Sequence, residues 1–226
     1  MKKLIIAISG AMLLATSAFS MDFRPSVGIS GSMAVYAATG TEKNFNEAGT
    51  AVDTTTDEHG AFVAEYGSIF LEAALNDAIS IGIDYVPMSM ETETTENIQN
   101  IGNLPADPGS GEKRNTVKVS FEDLTTIYAL ANLNDNVYAK VGYVEVDVIT
   151  DENLATGGAY GNTSFDGFTI ALGYSLDMAD GTFARFEASY MDLDGATVTN
   201  DNDSTKSVTV DGINGYGAGI SIGRSF

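Results

Sequence analysis

Eight stretches of period-two hydrophobicity run along this chain, separated by connections whose lengths alternate strictly between long and short. The first, "SVGISGSMAVYAA" (Ser26 to Ala38), is followed by a long polar segment over 39–59. The second and third, "GAFVAEYGSIFLEAAL" and "ISIGIDYVPMSM", are joined by only "NDA". A polar segment over about 91–115 precedes "TVKVSFEDLTTIYALANL", and "NDN" leads from there into "VYAKVGYVEVDVI". After a third polar segment over about 150–163, "SFDGFTIALGYSL" meets "TFARFEASYMDL" across "DMADG". A last polar segment over 194–211 precedes the final stretch, which ends at Phe226. Asn and Asp in the short connections tolerate tight-turn backbone angles and bond their own backbone.

Alternation of this kind places every short turn at one end of a sheet and every long connection at the other. It predicts an all-β fold: an eight-stranded antiparallel up-and-down transmembrane β-barrel with long extracellular loops and short periplasmic turns. The stretches hold about 12 to 18 residues, enough for a tilted strand to cross a bilayer. Lipid demands that backbone polar groups be paired internally, which strands achieve only by closing on themselves. The faces agree. Ile79, Ile81, Ile83 and Tyr85 alternate with Ser80, Gly82 and Asp84, and Phe168, Ile170, Leu172 and Tyr174 alternate with Gly167, Thr169 and Gly173. In the fourth stretch Val117, Val119 and Phe121 share a phase that Asp123 breaks, so a bulge is expected near Glu122-Asp123-Leu124. A soluble β-sandwich or a periplasmic lipocalin-like barrel is the competing fold, since alternation alone does not separate them.

The first twenty residues, "MKKLIIAISGAMLLATSAFS", order two lysines, a short apolar run and small residues as a secretory signal peptide does. Cleavage is expected after Ser20, with Ala18 as the alternative, leaving one barrel domain over 21–226. An uncleaved anchor is disfavoured by the shortness of the run. The formal charge of −20 excludes a phosphate-binding surface, so no nucleic-acid partner is expected. The chain has no Cys and a single histidine, His59, which leaves no thiolate chemistry and no clear catalytic constellation. The reading is therefore not an enzyme, with no cofactor and no metal site. Asp192, Asp194, Asp201 and Asp203 suggest calcium by composition, but they lack the spacing of an EF-hand.

With these features the chain resembles the small outer-membrane β-barrel proteins of Gram-negative bacteria. The likeness is to the broad class that holds outer-membrane protein A, its X relative and the opacity proteins. It covers about Asp22 to Phe226 and rests on the architecture and the last strand. In that class a terminal aromatic preceded by alternate hydrophobics serves as the assembly signal, which here implies Tyr216, Ile220, Ile222 and Phe226. Arg224 departs from the pattern, although its long side chain can reach toward water at an interface. The resemblance implies outer-membrane localisation, contact with outer-membrane lipid and lipopolysaccharide, and passage through periplasmic chaperones and the barrel-assembly machinery. An extracellular ligand is not named by it.

Eight strands enclose room for side chains rather than an open channel. Glu72, Asp84, Lys118, Glu122, Lys140, Arg185 and Glu187 are the charges expected to face inward, pairing into a network that plugs the lumen. The role expected is structural or surface-interacting. A narrow porin-like channel for small ions or solutes is the alternative, and a soluble periplasmic ligand binder is a second. The four long segments carry 16 of the 31 acidic residues, and "VDTTTDE" and "METETTEN" read as hydrated loop tips. Deleting Phe226, or replacing it with Asp, is expected to leave the chain exported but unassembled. Heat-modifiable gel mobility reports this, and wild-type amounts of folded barrel would refute the assembly-signal reading.

Overall fold

The computed structural model describes residues 24–46, 49–101, 111–155 and 158–226. The expected signal segment, 1–20, lies outside them. Among the described residues ten strands form: β1 (Arg24–Phe45), β2 (Val52–Ala74), β3 (Ile79–Tyr85), β4 (Met90–Glu91), β5 (Thr95–Ile101), β6 (Gly111–Asn132), β7 (Val137–Leu154), β8 (Thr163–Asp177), β9 (Thr182–Thr199) and β10 (Lys206–Ser225). β3, β4 and β5 all pair antiparallel with β6 and are pieces of one interrupted strand. Counted so, eight strands follow one another round a ring. β1 pairs with β10, and β3 pairs with both β2 and β6, which closes the sheet into an up-and-down barrel. At the junction of the two ends, the Phe226 N–H donates to the Pro25 carbonyl at 2.9 Å.

The short turns form by local hydrogen bonding. The Asn76 Oδ1 accepts the N–H groups of Ala78 and Ile79 at 2.8 and 2.9 Å. The Asn134 Oδ1 does the same for Asn136 and Val137 at 3.0 and 2.9 Å. Each is an Asn side chain standing in for a turn carbonyl. The third turn uses positive φ at Asp180 and Gly181.

At the opposite end the structure differs from the expectation of long loops. Strands run 18 to 23 residues in β1, β2, β6, β7, β9 and β10, well beyond what a bilayer requires. Much of each polar segment is β-ladder. "VDTTTDE" lies within β2, where Thr41 donates to Asp57 at 2.8 Å and Asn44 to Thr54 at 3.1 Å. His59, expected at the base of a loop, sits inside β2 beside Thr39 at 3.0 Å. The β-branched threonines and these cross-strand pairs hold the polar hairpin extended.

A belt of large apolar side chains girdles the outside nearer the short turns. Ile29 is 64% exposed and Leu172 58%, and Val63, Ile170, Phe186, Ile220 and Ile222 share this face. Aromatics mark its margin toward the long hairpins. Tyr190 lies between Phe168 and Tyr216, with centroids 6.5 and 5.1 Å apart. The Tyr85 hydroxyl donates to Asp123 at 2.5 Å and the Tyr143 hydroxyl to Asp166 at 3.0 Å, so the apolar belt gives way to carboxylates across single hydrogen bonds.

Within the barrel, Tyr128 lies over Gly82 and Tyr138 over Gly173, where any Cβ would overlap the ring. Gly82→Ala and Gly173→Ala are each expected to cost about 1–3 kcal/mol by overpacking. Urea unfolding of the barrel in detergent micelles measures this.

Candidate functional site in the barrel lumen

The lumen has two seals and a polar chamber between them. Glu72 on β2 and Arg185 on β9 form a two-pronged ion pair, Nη1 to Oε2 at 2.8 Å and Nη2 to Oε1 at 2.9 Å. Their side chains are only 4% and 15% exposed. The Tyr128 hydroxyl donates to the same carboxylate at 3.1 Å. Lys140 on β7 donates to Glu187 on β9 at 2.6 Å, and the Tyr138 hydroxyl joins that carboxylate at 3.1 Å. Asp84 on β3 accepts from Ser68 at 3.0 Å, and Ser68 in turn contacts Ser30.

Apart from the Ser30–Ser68–Asp84 chain, which joins neighbouring strands, these partners do not sit on adjacent strands. β2 and β9 are separated by β1 and β10, β7 and β9 by β8, and β6 and β2 by β3. The network is therefore a set of struts across the barrel. Rings cover its cations as well: Arg185 lies 4.4 Å from the Phe183 centroid and 5.3 Å from that of Tyr138, and Lys140 lies 5.1 Å from that of Tyr128. A cavity of about 90 Å³ remains among these groups, lined also by Ser32, Thr126, Thr169 and Ser189. Arg185 Nε is the buried side-chain donor left without a partner among the described residues.

Toward the long hairpins the lumen fills with apolar side chains. Val144 and Val146 are almost wholly buried, with Phe121, Leu124, Leu193 and Ile213 around them. Phe62 stacks on Phe121 at 5.2 Å and contacts Tyr36 at 5.4 Å. Toward the short turns Phe70 and Phe183 meet at 6.2 Å, with Leu130 buried at the same end.

Of the seven charges expected inside, Glu72, Asp84, Lys140, Arg185 and Glu187 face the lumen, and the structure joins four of them in the two ion pairs. Lys118 and Glu122 do not. On their segment Phe121 is the buried residue, so Lys118 and Glu122 occupy the outer face, where Lys118 pairs with Glu91 at 2.5 Å. The bulge lies where the sequence placed it. Asp123 has φ 54° and the register of β6 against β7 shifts between Glu122 and Thr125. It reverses the phase, so Leu124, Thr126 and Tyr128 point inward below it.

The apolar seal is what sequence reasoning missed, although it left a signal. In "KVGYVEVDVI" the outward residues are apolar up to Tyr143, and the inward ones are apolar from Val144 onward. Asp192 and Asp194 lie on β9, whereas Asp201 and Asp203 follow its end. Asp203 is held below the usual carboxylate range by hydrogen bonds from Thr205 and by Lys206, so it is already partnered. Among the described residues no group of three or more His, Asp and Glu converges on a metal position. Tyr216, Ile220, Ile222 and Phe226 lie on the outer face, 55–72% exposed, with Arg224 over the Phe226 ring at 5.5 Å.

No family model and no curated protein matches the chain. Solved structures with similarity to it include the outer membrane protein OprG from Pseudomonas aeruginosa, 13% identical, covering 89% of this chain and 95% of that one at a TM-score of 0.49. The outer membrane protease OmpT from Escherichia coli is 9% identical over 92% and 98%, at 0.43. The attachment invasion locus protein Ail of Yersinia pestis, in complex with sucrose octasulfate, is 12% identical over 86% and 98%, at 0.31.

Removing one partner of the Glu72–Arg185 pair strands a buried charge. Glu72→Ala is expected to cost about 3–5 kcal/mol of barrel stability. Glu72→Ala with Arg185→Ala should cost less than the single change. A double-mutant cycle by urea unfolding checks the sign, and a double variant worse than the sum would show that the pair is not the strut described.

Proposed function

We propose that the protein is an integral outer-membrane barrel whose lumen is sealed and whose work is done at its exposed hairpins, as a structural or surface-interaction component. One observation carries this reading: the outside is apolar where the inside is polar, and the polar inside is capped at both ends by packed side chains. A belt in which Ile29 and Leu172 stay more than half exposed suits hydrocarbon, and a soluble periplasmic ligand binder would leave it in water. The short turns then face the periplasm and the long hairpins the exterior, and residues 1–20 supply the export signal.

The seals weigh against the channel alternative. Passage would require parting the Phe62–Phe121 stack at one end, the Glu72–Arg185 strut within and the Phe70–Phe183 contact at the other. A cavity of about 90 Å³ holds a few waters and no continuous column. The Ser68 hydroxyl that donates to Asp84 has no histidine beside it and lies within the sealed chamber, and the sole histidine points to Thr39 outside it.

Purified protein in planar lipid bilayers is expected to stay electrically silent. Reproducible conductance steps, altered by Lys140→Ala or Arg185→Ala, would replace the sealed-lumen reading with the channel. Recovery of the protein in the soluble periplasmic fraction without detergent would end the membrane reading altogether.

A further inference from the structure

The ladder between β2 and β3 stops early. β3 pairs with β2 only along Ile69–Ala74, while β2 runs on to Val52 paired with β1. The cause is local. Beyond Tyr85, the Val86 N–H turns to Leu124 on β6, and Pro87 has no N–H to give. The Gly67 N–H then meets the sulfur of Met88 at 3.5 Å, a weak acceptor. β4 approaches β2 without pairing to it, and beyond it β5 pairs with β6. Among the described residues no strand pairs with β2 on this side from Val52 to Gly67.

Gly67 also shows which groups line the opening. Its N–H points away from β1, and the β1–β2 register is unbroken from Arg24↔Ala74 to Asn44↔Thr54. Strand geometry therefore turns the N–H and C=O of Thr55, Asp57, His59, Ala61 and Val63 to the open side. Natural open edges are commonly blunted by lysine, proline or a bulge. This one has no Lys, Arg or Pro between 52 and 74, and no register shift between Thr54 and Ala74. The charges along Val52–Gly67 are Asp53, Asp57, Glu58 and Glu65, whereas Glu91 and Glu96 on the strand pieces across the opening are paired with Lys118 and Arg114 of β6.

We propose that this edge of β2 is a docking site for an extended, lysine- or arginine-bearing segment of a partner protein, which adds to the sheet as a strand. Backbone donors and acceptors supply affinity, and the carboxylates of β2 select a cationic partner. A second copy of this chain is the wrong occupant, because the same edge would bring Asp53, Asp57, Glu58 and Glu65 against their own copies. The proposal rests on the membrane-embedded reading above and names the chemistry of its surface partner.

The test uses the full barrel in lipid nanodiscs, titrated by fluorescence anisotropy with the labelled peptide VKVTVKVTVK. Two controls accompany it: the same peptide N-methylated at alternate backbone nitrogens, and a version with Glu in place of Lys. Saturable binding of the lysine peptide is expected, weaker by about tenfold or more on N-methylation, with no binding of the glutamate peptide. The variant Thr55→Pro with Ala61→Pro removes two donors from the open side without touching the β1 ladder. It should bind as poorly as the N-methylated peptide does, with heat-modifiable mobility retained. Should that variant fail to fold, the N-methylation contrast on the unaltered protein decides alone.

Equal affinity for the N-methylated peptide, full affinity in a folded proline variant, or no binding of the lysine peptide would each overturn the proposal. So would cross-linked β2–β2 dimers that exclude the peptide. Failure of the membrane reading shows earlier and separately, as failure of the unaltered protein to enter nanodiscs.

Discussion

Backbone pairing is the constraint on which the rest depends. In hydrocarbon an unpaired N–H or C=O costs several kcal/mol, so the belt can exist only where every strand has a neighbour on both sides. β1 meeting β10 and β3 meeting β6 complete that condition. Closure with eight strands then fixes the lumen as a narrow space that side chains must fill. Charges placed there have little water to solvate them, which is why Glu72 and Arg185 bond through both prongs and recruit Tyr128 and Phe183. A ring of this size makes the struts necessary, and the struts in turn hold the ring in shape.

The same constraint explains which parts of the molecule were legible in the sequence. Short turns were readable because one Asn side chain sets each of two of them, and strand faces at Ile79–Tyr85 and Phe168–Tyr174 were readable because lipid and lumen demand opposite chemistries. The bulge at Asp123 was readable because a carboxylate stood where an apolar residue belonged. Lys118 and Glu122 were assigned inward on the assumption that the outside stays apolar along the whole strand. Above the belt it does not. There water lies outside, and the ordinary rule of an apolar inside returns, as Phe121 shows.

That exchange of solvents leaves a mark that single-strand periodicity does not test for. Tyr143 and Val144 are adjacent apolar residues on opposite faces, the last turned to lipid and the first turned to the core. Tyr190 and Met191 repeat the arrangement on β9. Beyond each pair the outward positions become acidic, Glu145 and Asp147 on β7, Asp192 and Asp194 on β9. A strand that keeps its alternation while swapping which phase is apolar has passed from one solvent to another. Lumen-network residues lie on one side of that line and the apolar seal on the other, so the two were not equally visible to a search for inward charges.

Above the line the demand for closure also lapses, because water can satisfy a free edge. Pro87 falls at this place: lacking an N–H, it ends the β2–β3 ladder at the upper margin of the belt. The barrel is thus closed along most of the belt and opens beside β2 at the upper margin, from Gly67 past the outward-facing Val63. Sixteen of the 31 acidic residues lie in the long segments, so the region with unpaired backbone is also an acidic one. A neutral open edge would invite strand pairing with any chain, its own copies included. Carboxylates along the β2 edge restrict the invitation by charge, which turns a liability of sheet edges into a selective surface.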